Sequence, residues 1–231
     1  MADIVKGEFL TEDEDIEPSP GTAYGRSKLE AEKYLIQQFA LKLNNNDNHD
    51  NNDNHNNPFN HNHPSFHLPS SKSLFILRPA MIHGPGNKGN LNLLYKLVSK
   101  GIPWPLGAFG NQRSFTSIDN LAFVINQLIE KEIEPGIYNM SDDTPISTNR
   151  LIELIAASKG KKAKIWRINP KLISYGARIG GFLHLPLNPE RLKKLTESYV
   201  VSNLKLKKAL GIEKMPVSVE EGMIKTLKSF E

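Results

Sequence analysis

Pro20-Gly-Thr-Ala-Tyr24-Gly-Arg-Ser-Lys28-Leu-Glu-Ala-Glu32-Lys-Tyr-Leu35 is the stretch around which the chain is organised. Pro20 and Gly21 break whatever precedes them, and Ala31, Glu32 and Leu35 favour helix. Tyr24 and Lys28 stand four residues apart, so in a helix they project from one face, one turn apart. An ammonium held beside a phenol favours the phenolate, and a tyrosine so placed can exchange a proton at neutral pH. A Tyr and a Lys at helical spacing also occur by chance, one in a core and one in solvent. The bare pair therefore carries little without the residues around it.

Working outward, Thr11-Glu-Asp-Glu-Asp15 with Pro18 and Pro20 reads as an acidic surface loop before the helix. The helix is expected from about Tyr24 to Leu43, with Ala31, Tyr34, Leu35 and Phe39 as its apolar stripe. Asn44 to Phe66 follows, where eleven of 23 residues are Asn. Such a segment buries too little apolar surface to offset its ordering entropy and is expected to be a disordered insertion. Its histidines, His49, His55, His61 and His63, have nothing to fix a ligand geometry, so no metal site is assigned.

Ser73-Leu-Phe-Ile-Leu77 has the character of a buried parallel strand. Arg78-Pro79-Ala80-Met81-Ile82-His83-Gly-Pro-Gly86 then opens a loop at its carboxyl end, the edge where open α/β sheets bind ligands. A helix is expected over Leu91–Lys100 with Leu93, Leu94, Leu97 and Val98 inward. A glycine-punctuated loop, Pro103 to Asp119, leads to a helix over Asn120–Ile129 capped by Asp119 or a neighbour. Gly136-Ile-Tyr-Asn-Met140 and Ile165-Trp-Arg-Ile168 read as strands, Ser147 or Thr148 as the cap of a helix through Ala157. Residues from Pro170 onward read as mostly helical, closing with Val219–Phe230.

The chain has 231 residues and no cysteine, which excludes disulfides, thiolate metal sites and a cysteine nucleophile. The N-terminus carries no apolar signal core, and Leu172 to Leu187 is too short and too interrupted to span a bilayer. The expectation is a cytoplasmic protein with no membrane and no nucleic-acid partner. Charge is uneven: residues 159–231 hold sixteen bases against six acids. Without interleaved aromatic platforms, solvated helix faces explain this best, and an anionic small molecule comes second.

Together these motifs resemble the extended short-chain dehydrogenase/reductase family. The string Tyr24-Gly-x-Ser-Lys28 with Ala31-Glu32 is similar to its active-site motif. Arg78-Pro79 through His83-Gly-Pro-Gly86, Gly107–Arg113-Ser-Phe, Asp119, Tyr138-Asn139 and Lys207-Lys-Ala-Leu-Gly211 follow in the order seen in its NAD-dependent epimerase/dehydratase branch. The resemblance implies an α/β fold: a partial Rossmann-like doubly wound parallel sheet with a smaller C-terminal α/β substrate-binding region. It implies that Tyr24 is the acid/base and that Lys28 binds the nicotinamide ribose of NAD, with NADP also open. Pro79, Ala80, Met81, Ile82 and His83 would line the cofactor. Asn90, Leu91, Arg113 and Arg191 would meet a nucleotide sugar, with a planar guanidinium suited to its diphosphate. The implied reaction is oxidoreduction at sugar C4, either a UDP-hexose 4-epimerase or a 4-keto-6-deoxy-sugar reductase.

One family element is missing from these residues. No strand with a Gly-x-x-Gly-x-x-Gly turn, the cradle for the NAD pyrophosphate, occurs in the sequence. Neither Thr11 nor Thr22 matches the family's catalytic Ser/Thr. The expected division is residues 1–43 and 67–88 as a remnant of the dinucleotide-binding domain, 44–66 as the insertion, and 89–231 as mainly substrate-binding. The readings of another class are a non-catalytic remnant or a substrate-binding subunit. Expected partners are the nucleotide sugar and either a second copy or a missing N-terminal half.

Overall fold

The computed structural model describes residues 23–46, 73–182 and 188–230. In chain order the elements are α1 (Ala23–Asn46), β1 (Phe75–Pro79), β2 (Met81–His83), α2 (Asn90–Ser99), β3 (Gln112–Arg113), β4 (Phe115–Ser117), α3 (Ile118–Glu130), β5 (Gly136–Met140), β6 (Ile146–Ser147), α4 (Thr148–Ser158), α5 (Pro170–Phe182), α6 (Pro189–Thr196), α7 (Leu204–Leu210) and α8 (Val219–Lys228). Helix α1 takes in Asn44–Asn46 of the Asn-rich tract. The rest of that tract with its four histidines, the acidic loop, Thr11 and Thr22 lie outside the described residues.

Strands β1 and β5 pair in parallel with Leu77 opposite Tyr138 and Arg78 opposite Asn139. Proline at 79 has no N–H to give, and β1 ends on it, two residues beyond the expected end at Leu77. Ala80 N donates to Met140 O at 2.8 Å, and the chain resumes as β2, which pairs in parallel with β4 rather than with β5. The change of partner between Pro79 and Met81 is what brings the ends of β4, β5 and β2 together. Among the described residues β1 is only half-buried, because β5 is its sole strand partner.

Two hydrophobic clusters support this frame. One joins α2, α4 and α8 through Leu91, Tyr95, Val98, Ile152, Ile155, Met223 and Leu227. The other packs α3, β5 and α7 through Val124, Tyr138, Met140, Leu206 and Leu210. Leu93, expected inward, is exposed, and Leu91 and Tyr95 take the core side of α2 instead. The buried set follows the i, i+4, i+7 spacing of 91, 95 and 98, which leaves Leu93 on the opposite face.

Polar caps define most helix starts. Ser117 Oγ accepts from Asn120 N at 3.2 Å, so Ser117 rather than Asp119 caps α3. Ser147 caps α4 through Arg150 N at 3.0 Å. Ser218 and Glu221 form a reciprocal capping box at α8. Helix α7 ends on Gly211 with φ 69°, the left-handed conformation that glycine adopts at least cost. The strand expected over Ile165–Ile168 reduces to isolated bridges from Ile165 to Trp104 and from Arg167 to Leu106. Its partner segment contains Pro103 and Pro105, neither of which can donate to a ladder.

Asp143 ties α7 to the loop after β5. It accepts from Lys207 Nζ at 2.8 Å, Met215 N at 2.8 Å and Asn203 Nδ2 at 3.2 Å. Burial pushes its pKa up, but these donors outweigh burial and leave it below the usual carboxylate value. A depressed folded-state pKa contributes stability that is present above the unfolded value near pH ~3.9 and is lost as pH falls through the folded value. Asp143→Asn should therefore flatten the stability profile of the chain below about pH 4. Urea midpoints measured across that range check this.

Candidate active site

Tyr24 and Lys28 lie on the first two turns of α1, and Lys28 Nζ stands 5.4 Å from the centroid of the Tyr24 ring. The spacing read from the sequence thus does bring the pair together. Tyr24 is 70% exposed, so its hydroxyl is open to a ligand rather than stored in a core. Ser27 Oγ donates to Tyr24 O at 2.9 Å and closes the turn between them.

Among the described residues an ion pair joins α1 to β1, and the expected apolar stripe is only partly covered, Phe39 being half-buried. Tyr34 and Leu35 are exposed, whereas Glu32 receives Arg78 Nε at 3.0 Å and also its Nη2. Both partners are largely shielded from solvent, and the two parallel bonds fix direction as well as distance. Arg78 is the penultimate residue of β1. Tyr24 lies eight residues closer to the helix N-terminus than Glu32, roughly 12 Å of helix at 1.5 Å per residue. Glu32 belongs to the Ala-Glu of the quoted motif, so the sequence signals its importance, but not its partner 46 residues on.

The Pro79–His83 run forms the junction of β1 and β2. Pro79 and Ile82 are exposed and Met81 is half-buried, while Ala80 and His83 face inward. His83 Nδ1 faces Thr226 Oγ1 of α8 at 2.9 Å, and Nε2 faces Asp142 Oδ2 at 3.5 Å. The edge of the ring meets Phe115, with centroids 5.8 Å apart. The His83 side chain is therefore held among protein groups.

Asp142 is the centre of that cluster, and no sequence pattern points to it. Its carboxylate is fully buried. It accepts from Ser117 N at 3.0 Å and from Asn120 Nδ2 at 2.7 Å. Asn120 in turn bonds both the N–H and the C=O of Val217. The N-terminus of α3 adds a favourable dipole to the buried charge. This knot fastens β2, β4, the end of β5, α3 and α8 at one point, directly behind the Pro79–His83 strand edge.

Of the expected sugar-nucleotide residues, Asn90 is exposed at the first turn of α2, and Leu91 next to it points into the core. Arg113 in β3 donates Nη2 to the carbonyl of Lys194 in α6, the helix that also carries Arg191. The structure thus brings Arg113 and the Arg191 helix together. Arg113 Nε is buried with no hydrogen-bond partner among the described residues. Burial lowers the guanidinium's pKa and Glu197 partly offsets this; it stays a cation with a donor to spare. Arg191 is exposed, its N–H bonded to the capping Asn188 Oδ1 at 2.8 Å. Tyr199 runs alongside Arg113, and burial pushes its phenol pKa up.

No protein-family model matches the chain. It is 29% identical over 224 residues, 96% of its length, to the UDP-glucose 4-epimerase of Vibrio cholerae, of which the match covers 57%. It is 28% identical over 199 residues, 85% of its length, to the N-acetyl-alpha-D-glucosaminyl-diphospho-ditrans,octacis-undecaprenol 4-epimerase of Escherichia coli O157:H7, covering 49% of that protein. The chain thus spans about half the length of the curated relatives it matches. The UDP-glucose 4-epimerase of Thermus thermophilus, solved in complex with NAD, superposes on 99% of the chain and 60% of its own length. The TM-score is 0.60 at 20% identity. The fold is the Rossmann-like α/β fold of those neighbours, as the sequence implies. The resemblance to the epimerase/dehydratase branch of the short-chain dehydrogenase/reductases holds over nearly the whole chain.

Proposed function

We propose that this chain carries the proton-transfer pair and the sugar-nucleotide-binding part of an NAD-dependent oxidoreductase acting at C4 of a UDP-hexose. The observation that carries this reading is the Tyr24–Lys28 pair, set together on an exposed helix face and anchored to β1 by Glu32 and Arg78. The curated relatives, both 4-epimerases, support it.

The residues present fit the nicotinamide end of NAD: Lys28, exposed on α1, offers a donor for a ribose hydroxyl, and the exposed Pro79 and Ile82 offer apolar surface. NAD, when bound, supplies a reversible hydride acceptor for sugar C4. The chain supplies position and proton control. Tyr24 Oη, starting as the phenolate, takes the C4 hydroxyl proton as that carbon is oxidised, holds it as a phenol, and returns it on reduction, with the Lys28 ammonium beside the ring throughout. Arg113 turns its spare Nε–H toward a diphosphate oxygen, where a charge-assisted bond is stronger than a neutral one. Asn90 and the main-chain N–H of Leu91, at the start of α2, add donors to the same group. Arg191 on α6 adds charge on the Arg113 side.

Coupled assays with UDP-galactose and NAD, and separately with a UDP-4-keto-6-deoxy sugar and NADH, test the activity and divide epimerase from reductase. Epimerisation without net NADH change is the expected result; NADH consumption with the keto sugar alone would replace it with the reductase reading. Arg113→Ala should weaken UDP binding by roughly 10–100-fold, the worth of one hydrogen bond to a charged group. Uridine binding should be unaffected, and calorimetry on both ligands checks this.

A further inference from the structure

Helix α5 is amphipathic in an unusual sense: both of its faces are apolar. Ile173 and Ala177 pack inward. Leu172, Tyr175 and Ile179, spaced i, i+3 and i+7, form a second stripe that is 66%, 66% and 45% exposed. Lys171 and Arg178 border this outer stripe and are exposed as well. Trp166, four residues before the helix, is also exposed.

Charge singles out the same region. Residues 159–182 contain seven bases and no acid. Lys161, Lys162, Lys164 and Arg167, leading into α5, are exposed. Helix α6, packed against α5, brings Glu190 but also Arg191, Lys193 and Lys194. An exposed apolar stripe rimmed by cations, with an aromatic residue whose ring is apolar and whose hydroxyl is polar, matches the interfacial zone of an anionic bilayer. A second copy of this chain is a poor occupant, because it would bring like charges face to face. Among the described residues no helix is long and apolar enough to cross a membrane, so the contact is with the surface.

We propose that α5 docks this protein peripherally on an anionic lipid bilayer, with Leu172, Tyr175 and Ile179 inserted at the headgroup–acyl boundary and Lys171 and Arg178 on the lipid phosphates. The docking is independent of the C4 chemistry, so either can fail alone.

Cosedimentation of the 231-residue chain with vesicles of phosphatidylcholine alone, and with about one-third phosphatidylglycerol, tests it. Binding to the anionic vesicles is expected, falling as salt shortens the screening length from about 10 Å at 0.1 M to about 3 Å at 1 M. The variant Lys171→Glu/Arg178→Glu, and separately Leu172→Ser/Tyr175→Ser/Ile179→Ser, should each lower the partition coefficient by about tenfold or more. All five sites are exposed, and circular dichroism is the check that the variants fold. The salt dependence of the unmodified chain stands without them. Equal binding to neutral and anionic vesicles, undiminished binding of both variants, or no binding to any vesicle would each overturn the proposal. So would self-association through this stripe in place of vesicle binding, or capture of RNA in preference to the anionic vesicles.

Discussion

Tyr24→Phe is expected to lower kcat for C4 interconversion of a UDP-hexose by about 10²–10⁴-fold, with KM for the sugar nucleotide nearly unchanged. The substitution removes one oxygen from a residue that is 70% exposed, so it neither opens a cavity nor unfolds the helix. The loss should fall on the step that needs a proton carrier and not on binding. Lys28→Met tests the other member of the pair: KM for the cofactor should rise together with the loss in kcat, because Lys28 is assigned to the ribose as well as to the phenol. Steady-state kinetics with each substrate varied in turn separate the two effects. A Tyr24→Phe protein with more than about a tenth of the parent kcat is outside the range of acid–base catalysis and removes Tyr24 from the role.

Asp142→Ala should cost about 3–5 kcal/mol of folding stability, the usual consequence of removing one member of a buried charged cluster. The carboxylate is fully buried, and its loss strands Ser117 N, Asn120 Nδ2 and the Nε2 side of His83 at once. Asp142→Asn should fall between the parent and the alanine variant, because an amide oxygen still accepts one of those bonds. Urea denaturation gives the comparison. A loss below about 1 kcal/mol for the alanine variant would mean that the cluster is replaceable by water and does not fasten the five elements it joins.

The two predictions differ in how far the sequence announces them. Tyr24 and Lys28 are four residues apart in a stretch with strong local helix signals, so periodicity alone puts them on one face. The strand Gly136–Met140 is similarly local and stands in the structure as read, and of the two cap candidates Ser147 and Thr148 the structure takes Ser147. Asp142 gives no such sign. Its partners lie 22 to 59 residues away, and neither hydropathy nor turn chemistry encodes that a carboxylate will be buried against them. The same holds for Arg78 and Glu32, 46 residues apart. Each half is visible in the sequence, but the pairing depends on how α1 meets β1.

Where local reading went astray, tertiary context decided. Tyr34 and Leu35 have helical spacing and apolar character, yet they are exposed because the described contact of α1 with the sheet runs through an ion pair. Ile165–Ile168 has strand composition, but its neighbour is interrupted by prolines and offers no ladder. Asn90, Arg113 and Arg191 rest on a resemblance and not on periodicity or composition, and the structure sets Arg113 against α6 with one donor unspent among the described residues.

Titration of the chain with UDP-glucose by calorimetry tests the central claim most directly. The account predicts saturable binding that UDP displaces, that survives Tyr24→Phe, and that weakens by about 10–100-fold in Arg113→Ala. Absence of binding at millimolar UDP-glucose, or binding indifferent to Arg113, would contradict it.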